Sequence, residues 1–338
     1  ATPRPIDRDN IAPRLGFAWD PGGNGRTVIR GSFGLYYDQL AVWYASLERP
    51  VVERTAVNPG TTSLDGVPDP VSVPTPPGGR LIGIMDSVMR TPFTRQLSLG
   101  IEHVFASGLR LRIDGMWIEG RNLLFTQIRS PQSSPRYPEF TQINQIRALG
   151  LASAKILTLA ATRTFPWGRF EVGYTLADRR TTSESWLGAI PVQDTTTDFS
   201  GELGPSNWDE RHRLVLLAEA RLPWRLTAGL RSVYASARPY TVIRVEERNM
   251  DGALNDRPAG VGRNSERGPD YFRVDLGLRK EVPVGRGAGE LVLNIYNLFN
   301  RTNLDPGSVQ QLLTSPLHGQ AIAALPKRQV ELGLRVRF

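Results

Sequence analysis

The most constraining feature of this sequence is the alternation of very short and very long connectors between strand-like segments. Eleven such segments are predicted, at residues 11–19, 26–38, 93–105, 109–120, 152–164, 169–180, 209–221, 224–238, 271–283, 288–300 and 326–338. The odd-numbered connectors hold 6, 3, 4, 2 and 4 residues, and the even-numbered ones hold 54, 31, 28, 32 and 25. Short turns on one side and long loops on the other are typical of a transmembrane β-barrel, whereas a soluble sandwich mixes connector lengths at both ends.

Apolar and polar residues alternate in several of these segments. In the last one, Val330, Leu332, Leu334, Val336 and Phe338 share one face, and the positions between them are Glu331, Gly333, Arg335 and Arg337. Residues 96–102, 109–114 and 272–279 repeat the pattern. A period of two indicates strands with one apolar and one wet face. We therefore predict an all-β, antiparallel transmembrane barrel with the apolar face toward lipid and the charged face toward the lumen.

The composition excludes several other classes. The chain has no cysteine, so neither a disulfide framework nor a thiolate site is available. Its longest uninterrupted aliphatic stretch, residues 214–218, is far shorter than the roughly 18 residues that a spanning helix needs. Strands can cross the hydrocarbon layer only when closed into a barrel, because an open edge leaves backbone groups unpaired in lipid.

The charge is strongly basic and carried by arginine. The net charge is +8, and Lys155, Lys280 and Lys327 are the only lysines among 41 basic residues. Nucleic-acid binding is the usual interpretation of such a balance. The arginines are spread along the whole chain instead of forming a patch, however, so we expect no nucleic acid as a partner. We expect them to line a polar lumen and to pair with the 33 acidic residues.

Aromatic residues collect near the predicted strand ends, as the interfacial girdles of membrane barrels require. The set beside the short turns or the terminus is Phe17, Trp19, Phe105, Phe165, Trp167, Trp224 and Phe338, and the set toward the long loops is Tyr36, Tyr37, Phe93, Trp117, Tyr240, Tyr271 and Phe299. Residues 56–80 are rich in proline and glycine and predict an exposed loop. The charged residues 209–213 predict a solvated rim.

One segment of the sequence is a candidate metal site. Residues 249–256 place oxygen ligands around Gly252, so Asp251, Asn255 and Asp256 form a candidate calcium site. An Asx-rich turn that satisfies its own backbone is the alternative, since the bidentate glutamate and spacing of an EF-hand are missing. The three histidines lie on different hairpins or loops, and no GxSxG or HExxH motif occurs. We predict no enzyme and no cofactor.

Several ordered segments resemble one known family. They are NIAPRLGFAWDPGGNGRTVIRGSFGLYYD at 10–38, PFTRQLSLGIEHVF at 92–105, the NDRPAGVGRNS core within 251–280, NIYNLFNRTN at 294–303 and the ending VELGLRVRF. This set resembles the C-terminal barrel of TonB-dependent outer-membrane receptors, particularly the Oar-like receptors that carry an N-terminal carboxypeptidase-regulatory-like domain. The resemblance implies a barrel of 22 strands with a plug, a TonB box and a signal peptide. The chain begins without a recognisable signal sequence. We therefore expect residues 1–338 to form a single unit, the C-terminal half of the barrel, with the plug absent.

The resemblance also implies a function. The expected function is TonB-energised import of a scarce small solute across the Gram-negative outer membrane, with a ligand that the sequence does not identify. The implied partners are outer-membrane lipid, the TonB complex through the N-terminal region of the receptor, and the barrel-assembly machinery. The last strand resembles the assembly signal that this machinery reads, which maps to Val330, Leu332, Leu334, Val336 and Phe338. The alternatives are a passive porin-like channel and a β-rich surface binding or adhesion module.

Overall fold

The computed structural model describes residues 7, 9–38, 50–51, 56–62, 68–71, 81–86, 89–129, 142–184, 202–246, 256–284 and 287–337. Within these residues the chain forms one large sheet, with short accessory strands in the long connectors. A single turn of 3-10 helix lies at Pro306–Ser308. No helix in this described part is long and apolar enough to cross a membrane.

Eleven strands make up the continuous wall of the sheet, and they lie close to the positions of the eleven predicted strands. They are β1 (Arg14–Trp19), β2 (Thr27–Tyr37), β3 (Phe93–Val104), β4 (Leu109–Arg129), β5 (Gln142–Phe165), β6 (Gly168–Thr181), β7 (His212–Leu222), β8 (Leu226–Ala235), β9 (Tyr271–Val284), β10 (Gly287–Tyr296) and β11 (Gln329–Arg337). Each pairs antiparallel with its neighbours in sequence, so the wall is a simple meander. Among the described residues, β1 pairs only with β2 and β11 only with β10, which leaves two open edges. The predicted all-β antiparallel architecture is confirmed.

The first short turn shows why the connectors on that side can be so compact. The Asp20 carboxylate accepts hydrogen bonds from the backbone nitrogens of Gly22 at 3.2 Å and Gly25 at 2.6 Å. Gly23 and Gly25 adopt φ angles of 61° and 68°, a region that glycine occupies without steric cost. The side chain of Asp20 thus organises the turn locally, and β1 and β2 meet in register immediately after it.

The turn between β7 and β8 reverses direction without glycine. Trp224 and Arg225 both have positive φ angles, 61° and 57°, which is uncommon for residues with large side chains. The Lys280 ammonium donates to the carbonyl oxygen of Trp224 from the neighbouring strand. Trp224 is 81 % exposed and lies beside the turn, where an aromatic side chain suits a membrane interface.

Strands β4 and β5 extend much further than the sequence predicts. The sequence places their ends at residues 120 and 152, whereas their pairing continues to Arg129 and Ile143. The register shifts around Leu123, and Asn122 adopts a φ of 56°, so a bulge interrupts the alternation without ending the strands. The prediction failed here because a polar Gly-Arg-Asn sequence resembles a loop.

A small apolar core covers one side of this extended ribbon. The strand Leu81–Met85 pairs parallel with the start of β5, and Met89 packs with Leu124, Ile146 and Ala148. Phe125 and Ile143 are also fully buried. Residues in the long second connector therefore fold back onto the ribbon. Within the proline-rich segment, Ala56–Thr62 and Pro68–Val71 form a hairpin where an exposed loop is predicted; the rest of that segment lies outside the described residues.

Candidate functional site

One face of the wall is apolar along its whole width, and it is called the apolar belt below. Residues directly opposite in an antiparallel pair share a face, and the register joins Leu15 to Phe33 and Phe33 to Leu97. At the other end of the wall the register joins Leu293 to Leu332. Leu332 is 80 % exposed, and large apolar side chains that are 38 to 74 % exposed lie on the same face of β1 to β5, β7 and β10. Soluble proteins rarely expose a continuous apolar surface of this size, whereas a lipid-facing barrel wall requires one.

Aromatic residues mark the two ends of the apolar belt. Phe17 and Trp19 lie on it beside the first short turn, and Tyr37 and Phe93 lie on it at the long-loop end with their ring centroids 5.5 Å apart. Three other aromatics predicted for the long-loop girdle do not belong to it. By strand register, Tyr36 and Tyr271 lie on the opposite, polar face, and Tyr240 is buried among the loops.

The opposite face, the polar wall, carries many of the strand charges, and several of them are paired. Glu102 on β3 accepts from Arg110 at 2.8 Å and lies 3.8 Å from Arg30, which joins three strands. Further along, Arg335 on β11 pairs with Glu290 on β10 at 3.1 Å. The predicted pairing of lumen arginines with acidic residues is observed at these strands. Such a surface suits contact with water and polar solutes.

The candidate assembly-signal strand lies at one open edge of the wall. Val330, Leu332 and Leu334 on β11 are 60, 80 and 66 % exposed, and Val336 shares their face. Phe338 lies outside the described residues. The alternation predicted for this strand is therefore observed as far as the structure describes it. Whether an assembly factor reads it stays a prediction.

The long connectors are tied together by buried arginines, and the hub of this loop network is Arg263. Its guanidinium donates to Glu184 at 3.1 Å, to the Glu202 carbonyl at 3.1 Å, and to the carbonyl oxygens of Thr181, Gly204 and Pro205. Burial lowers the pKa of Arg263, and the carboxylates of Glu184 and Glu202 oppose that shift. One side chain in the connector after β8 thus satisfies acceptors from the connector between β6 and β7.

A second arginine joins the same two connectors. Arg257 makes a bidentate pair with Glu202, and the two side chains are only 8 and 3 % exposed. Bidentate arginine–carboxylate pairs fix orientation as well as distance. Asn264 completes the junction by donating from Nδ2 to the Pro205 carbonyl at 2.7 Å and to Asn207 Oδ1 at 2.6 Å. These residues belong to the NDRPAGVGRNS core, which therefore has a structural role.

The solvated rim predicted for residues 209–213 is observed only in part, since Arg211 and Arg213 are 39 and 43 % exposed but Asp209 is not. Asp209 is fully buried, where its carboxylate pairs with Arg267 at 2.5 Å and accepts from the Arg179 backbone nitrogen at 2.9 Å. The prediction was wrong at Asp209 because the cation that neutralises it lies 58 positions away, in another connector. The sequence shows an arginine-rich stretch at 257–267 that could supply a cation, but it does not show that Arg267 pairs with Asp209.

Asparagines shape the connection between β10 and the last long connector. Asn297 and Asn300 adopt φ angles of 56° and 51°, which asparagine tolerates better than most residues. The Asn297 side chain is bonded to the Arg301 backbone in both directions, and Asn303 accepts from the backbone nitrogen of Phe272 on β9. The repeated asparagines of NIYNLFNRTN thus anchor this connector against the wall.

A cavity of about 370 Å³ lies on the polar wall beneath the last connector. Its charged lining consists of Arg213, Arg231, Arg238, Arg273, Glu210, Asp275 and Asp305. Burial raises the pKa of Glu210, but hydrogen bonds from Arg238 at 2.7 Å and Arg213 at 2.6 Å outweigh it and hold that pKa below its usual value of 4.5. The carboxylate is therefore ionised at neutral pH. It forms salt bridges with two of the four arginines of the cavity.

Arg231 differs from the other three arginines of this cavity. In the part of the chain that the structure describes, Arg213 and Arg238 pair with Glu210, and Arg273 pairs with Asp275, but Arg231 forms no salt bridge. Arg231 and Asp275 also line a second cavity of about 550 Å³ further along the polar wall. The two cavities thus meet at an exposed guanidinium that is available to a solute. Sequence reasoning did not single out Arg231.

The candidate calcium site is only partly covered by the structure. Asp251 and Asn255 lie outside the described residues, and Asp256 is buried with its backbone oxygen accepting from Arg244 at 2.8 Å. Within the described ranges, no group of three or more histidine or acidic side chains is arranged to hold a metal ion. The calcium site stays a prediction.

Solved structures with a similar fold are membrane receptors and transporters. The chain aligns with the outer membrane transporter YddB from Escherichia coli at a TM-score of 0.66 and 11 % identity, covering 96 % of this chain and 40 % of that one. A variant of the ferric enterobactin receptor PfeA from Pseudomonas aeruginosa, in complex with enterobactin, gives 0.59 and 12 %, with the same coverage. The FrpB iron transporter from Neisseria meningitidis gives 0.55 and 12 %, with 96 and 39 % covered.

These identities establish similarity of fold, and the chain spans about 40 % of the length of such structures. No characterised protein sequence matches the chain significantly. Residues 3–242 match the outer membrane β-barrel domain family, which is more than half of the sequence. With its apolar belt, polar wall and meander of eleven strands, the chain belongs to that family and is a protein of the Gram-negative outer membrane.

Proposed function

We propose that the chain is part of a TonB-dependent outer-membrane receptor that imports a scarce solute. The observation that carries the proposal is the polar wall with its two joined cavities beneath a rigid loop network. A solute that enters from the long-loop side meets the charged cavity at Arg231 and then the second cavity along the wall. Specific binding needs such convergent polar groups held in place by a scaffold.

The eleven strands are proposed to belong to a larger barrel. The open edges of β1 and β11 would expose unpaired backbone groups to lipid, which costs several kcal/mol for each group. Further strands of the same receptor would pair with both edges. Barrels of 22 strands have a lumen wide enough to need a plug, and the likeness to transporters more than twice as long is consistent with this size.

The finer assignment to the Oar-like receptors rests on the ordered sequence segments. Two of them have roles in the structure that explain why the residue types are needed: the NDRPAGVGRNS core supplies Arg257, Arg263 and Asn264 to the loop network, and NIYNLFNRTN supplies the turning asparagines. In this proposal the TonB complex acts on the N-terminal region of the receptor, and β11 with Phe338 presents the assembly signal.

Uptake by the full-length receptor tests the proposal. The receptor is expressed in two hosts that differ only in TonB, and labelled ferric siderophores, cobalamin, oligosaccharides and peptides are supplied in turn. We expect saturable uptake of one class in the TonB-containing host, and loss of that uptake in the other host. Equal uptake in both hosts would support a passive channel instead. A protein that leaves the membrane fraction and shows no heat-modifiable gel migration would support a surface binding module.

The role of Arg231 is tested separately from transport. We expect Arg231→Gln to weaken binding of the identified solute, because no other residue in the described part of the chain neutralises that guanidinium. Arg244→Gln is the matched control, since Arg244 forms an exposed pair with Glu246 outside the cavity. Equal binding by both variants would remove the cavity from the proposed solute path.

A further inference from the structure

The apolar belt contains a groove that the transport function does not use. It lies across β3 to β6, has a volume of about 500 Å³, and is mostly apolar, with Leu97, Leu99, Trp117 and Leu157 among its lining residues. A Cβ atom added at Gly115 would meet only the Leu99 carbonyl oxygen, at 3.8 Å. The absence of a side chain at Gly115 therefore opens the groove. Because these strands are interior to the wall, the groove does not arise from an open edge.

Cationic side chains gather at the long-loop end of this groove. This basic rim consists of Arg95, Arg121, Lys155, Arg180 and Arg211, accompanied by the carboxylates Glu119 and Asp178. Five cations therefore accompany these two carboxylates, and Arg211 also lies 4.0 Å from the buried Asp209 carboxylate. The register places Trp117 opposite Lys155 on one side and Asp178 opposite it on the other, so the rim follows directly after the belt.

Lys155 differs from the other members of the basic rim in its lack of a salt bridge among the described residues. In the residues that the structure describes, Asp178 pairs with Arg180 at 3.4 Å and with Arg211 at 3.3 Å, and Lys155 forms no salt bridge. Lys155 and Arg211 both line the groove. An ammonium group without a partner, beside an apolar groove and a tryptophan, suits a ligand that has both a hydrocarbon chain and a negative headgroup.

We propose that this groove binds a single anionic lipid of the outer leaflet, with an acyl chain along Gly115 and a headgroup phosphate at Lys155 and Arg211. The charge of the rim selects the occupant, because a neutral lipid would leave the excess cations unneutralised. In the expected orientation, the long-loop side of the wall faces the cell exterior, which assigns the lipid to the outer leaflet. This site is independent of the solute cavities on the polar wall.

Binding to the purified full-length receptor in detergent tests the proposal. Native mass spectrometry measures the affinities of dioleoyl phosphatidic acid, of dioleoylglycerol with the same chains, and of inorganic phosphate. We expect phosphatidic acid to bind at least about fivefold more tightly than either of the others. Equal affinity for the two lipids would overturn the role of the basic rim. Equal affinity for phosphatidic acid and inorganic phosphate would overturn the role of the groove.

Two variants with matched controls locate the site. Lys155→Gln should weaken phosphatidic acid binding by about fivefold, whereas Lys327→Gln removes the same charge from an exposed loop position and should not. Gly115→Leu should block the groove, whereas Gly173→Leu adds the same side chain on the polar wall, where the space is open. Each variant is first checked for heat-modifiable migration. Equal binding in a variant and its control overturns the location, and the lipid comparison on the wild-type receptor decides the proposal without any variant.

Discussion

Arg263 and Glu184 lie 79 positions apart in the sequence and form a 3.1 Å ion pair in which each side chain is only 10 % exposed. The pair joins the connector after β6 to the connector after β8. A buried pair of this kind fixes geometry more than it adds stability, but removing one partner leaves a buried charge and costs about 3–5 kcal/mol. The relative placement of these two loops therefore depends on this pair together with the buried Arg257–Glu202 pair.

Arg263→Ala should loosen the loop network while leaving the wall of strands intact. The substitution leaves Glu184 without its cation and removes the donor to four carbonyl oxygens, so we expect faster amide hydrogen exchange at residues 202–207 and 256–267 of the full-length receptor. Arg244→Ala, which breaks an exposed pair, is the control. Unchanged exchange in Arg263→Ala would show that the hub is dispensable.

Acidification should weaken the contacts of Glu210 with Arg213 and Arg238, beside the loop network. The pKa of Glu210 is held below its usual 4.5 by Arg213 and Arg238. The stability that this carboxylate contributes is fully present above that usual value, and it is lost as the pH falls through the lowered folded pKa. We expect loop exchange rates to rise below about pH 4.5 in the wild type. Glu210→Gln should already exchange faster at neutral pH and should lack this part of the pH dependence; a variant with the wild-type profile would contradict the assignment.

The two faces of β11 should respond oppositely to substitution. Leu334→Arg places a charge on the apolar belt, which costs about 2–4 kcal/mol near the bilayer midplane. Arg335→Leu alters the polar wall and breaks only the exposed pair with Glu290, so insertion should suffer less. Outer-membrane levels of the two full-length variants measure the difference. Greater sensitivity at Arg335 would mean that the faces are reversed.

Deletion of Phe338 tests the assembly signal. We expect the full-length receptor without Phe338 to reach the outer membrane in much lower amounts, because the proposed signal requires a terminal aromatic residue. Phe338→Tyr, which keeps the aromatic ring, serves as the control. Surface levels equal to the wild type after the deletion would remove Phe338 from the signal.

Epitope tags test the orientation of the wall. A tag near Gly78, in the proline-rich connector, should be labelled on intact cells, and a tag near Gly23, in the turn after β1, should be labelled only after permeabilisation. Short periplasmic turns and long extracellular loops are the arrangement known for such barrels. Labelling at Gly23 on intact cells would invert the topology.

The sequence predicts the wall well because strand alternation and turn formation depend on residues that are close together in the sequence. Alternation decides which face Leu97 or Leu332 occupies, and turn residues such as Asp20 and Gly25 decide where a strand ends. The loop network is not local. Asp209 resembles a solvated charge until Arg267 is placed against it, and Asn122 resembles a loop residue until the pairing beyond it is known. Arg231 could not be identified from the sequence. It differs from the other arginines of its cavity because it forms no salt bridge among the described residues, and that is known only once the surrounding charges are placed.

The bulged extension of β4 and β5 also determines what a large particle meets at the cell surface. Beyond Gly120, residues 121–129 continue as paired strand, and at about 3.3 Å per residue they extend up to roughly 30 Å past the end of the belt. The cluster around Met89 stiffens this ribbon on one side. An antibody or a phage that approaches this position from the long-loop side would therefore meet a paired ribbon instead of an irregular loop.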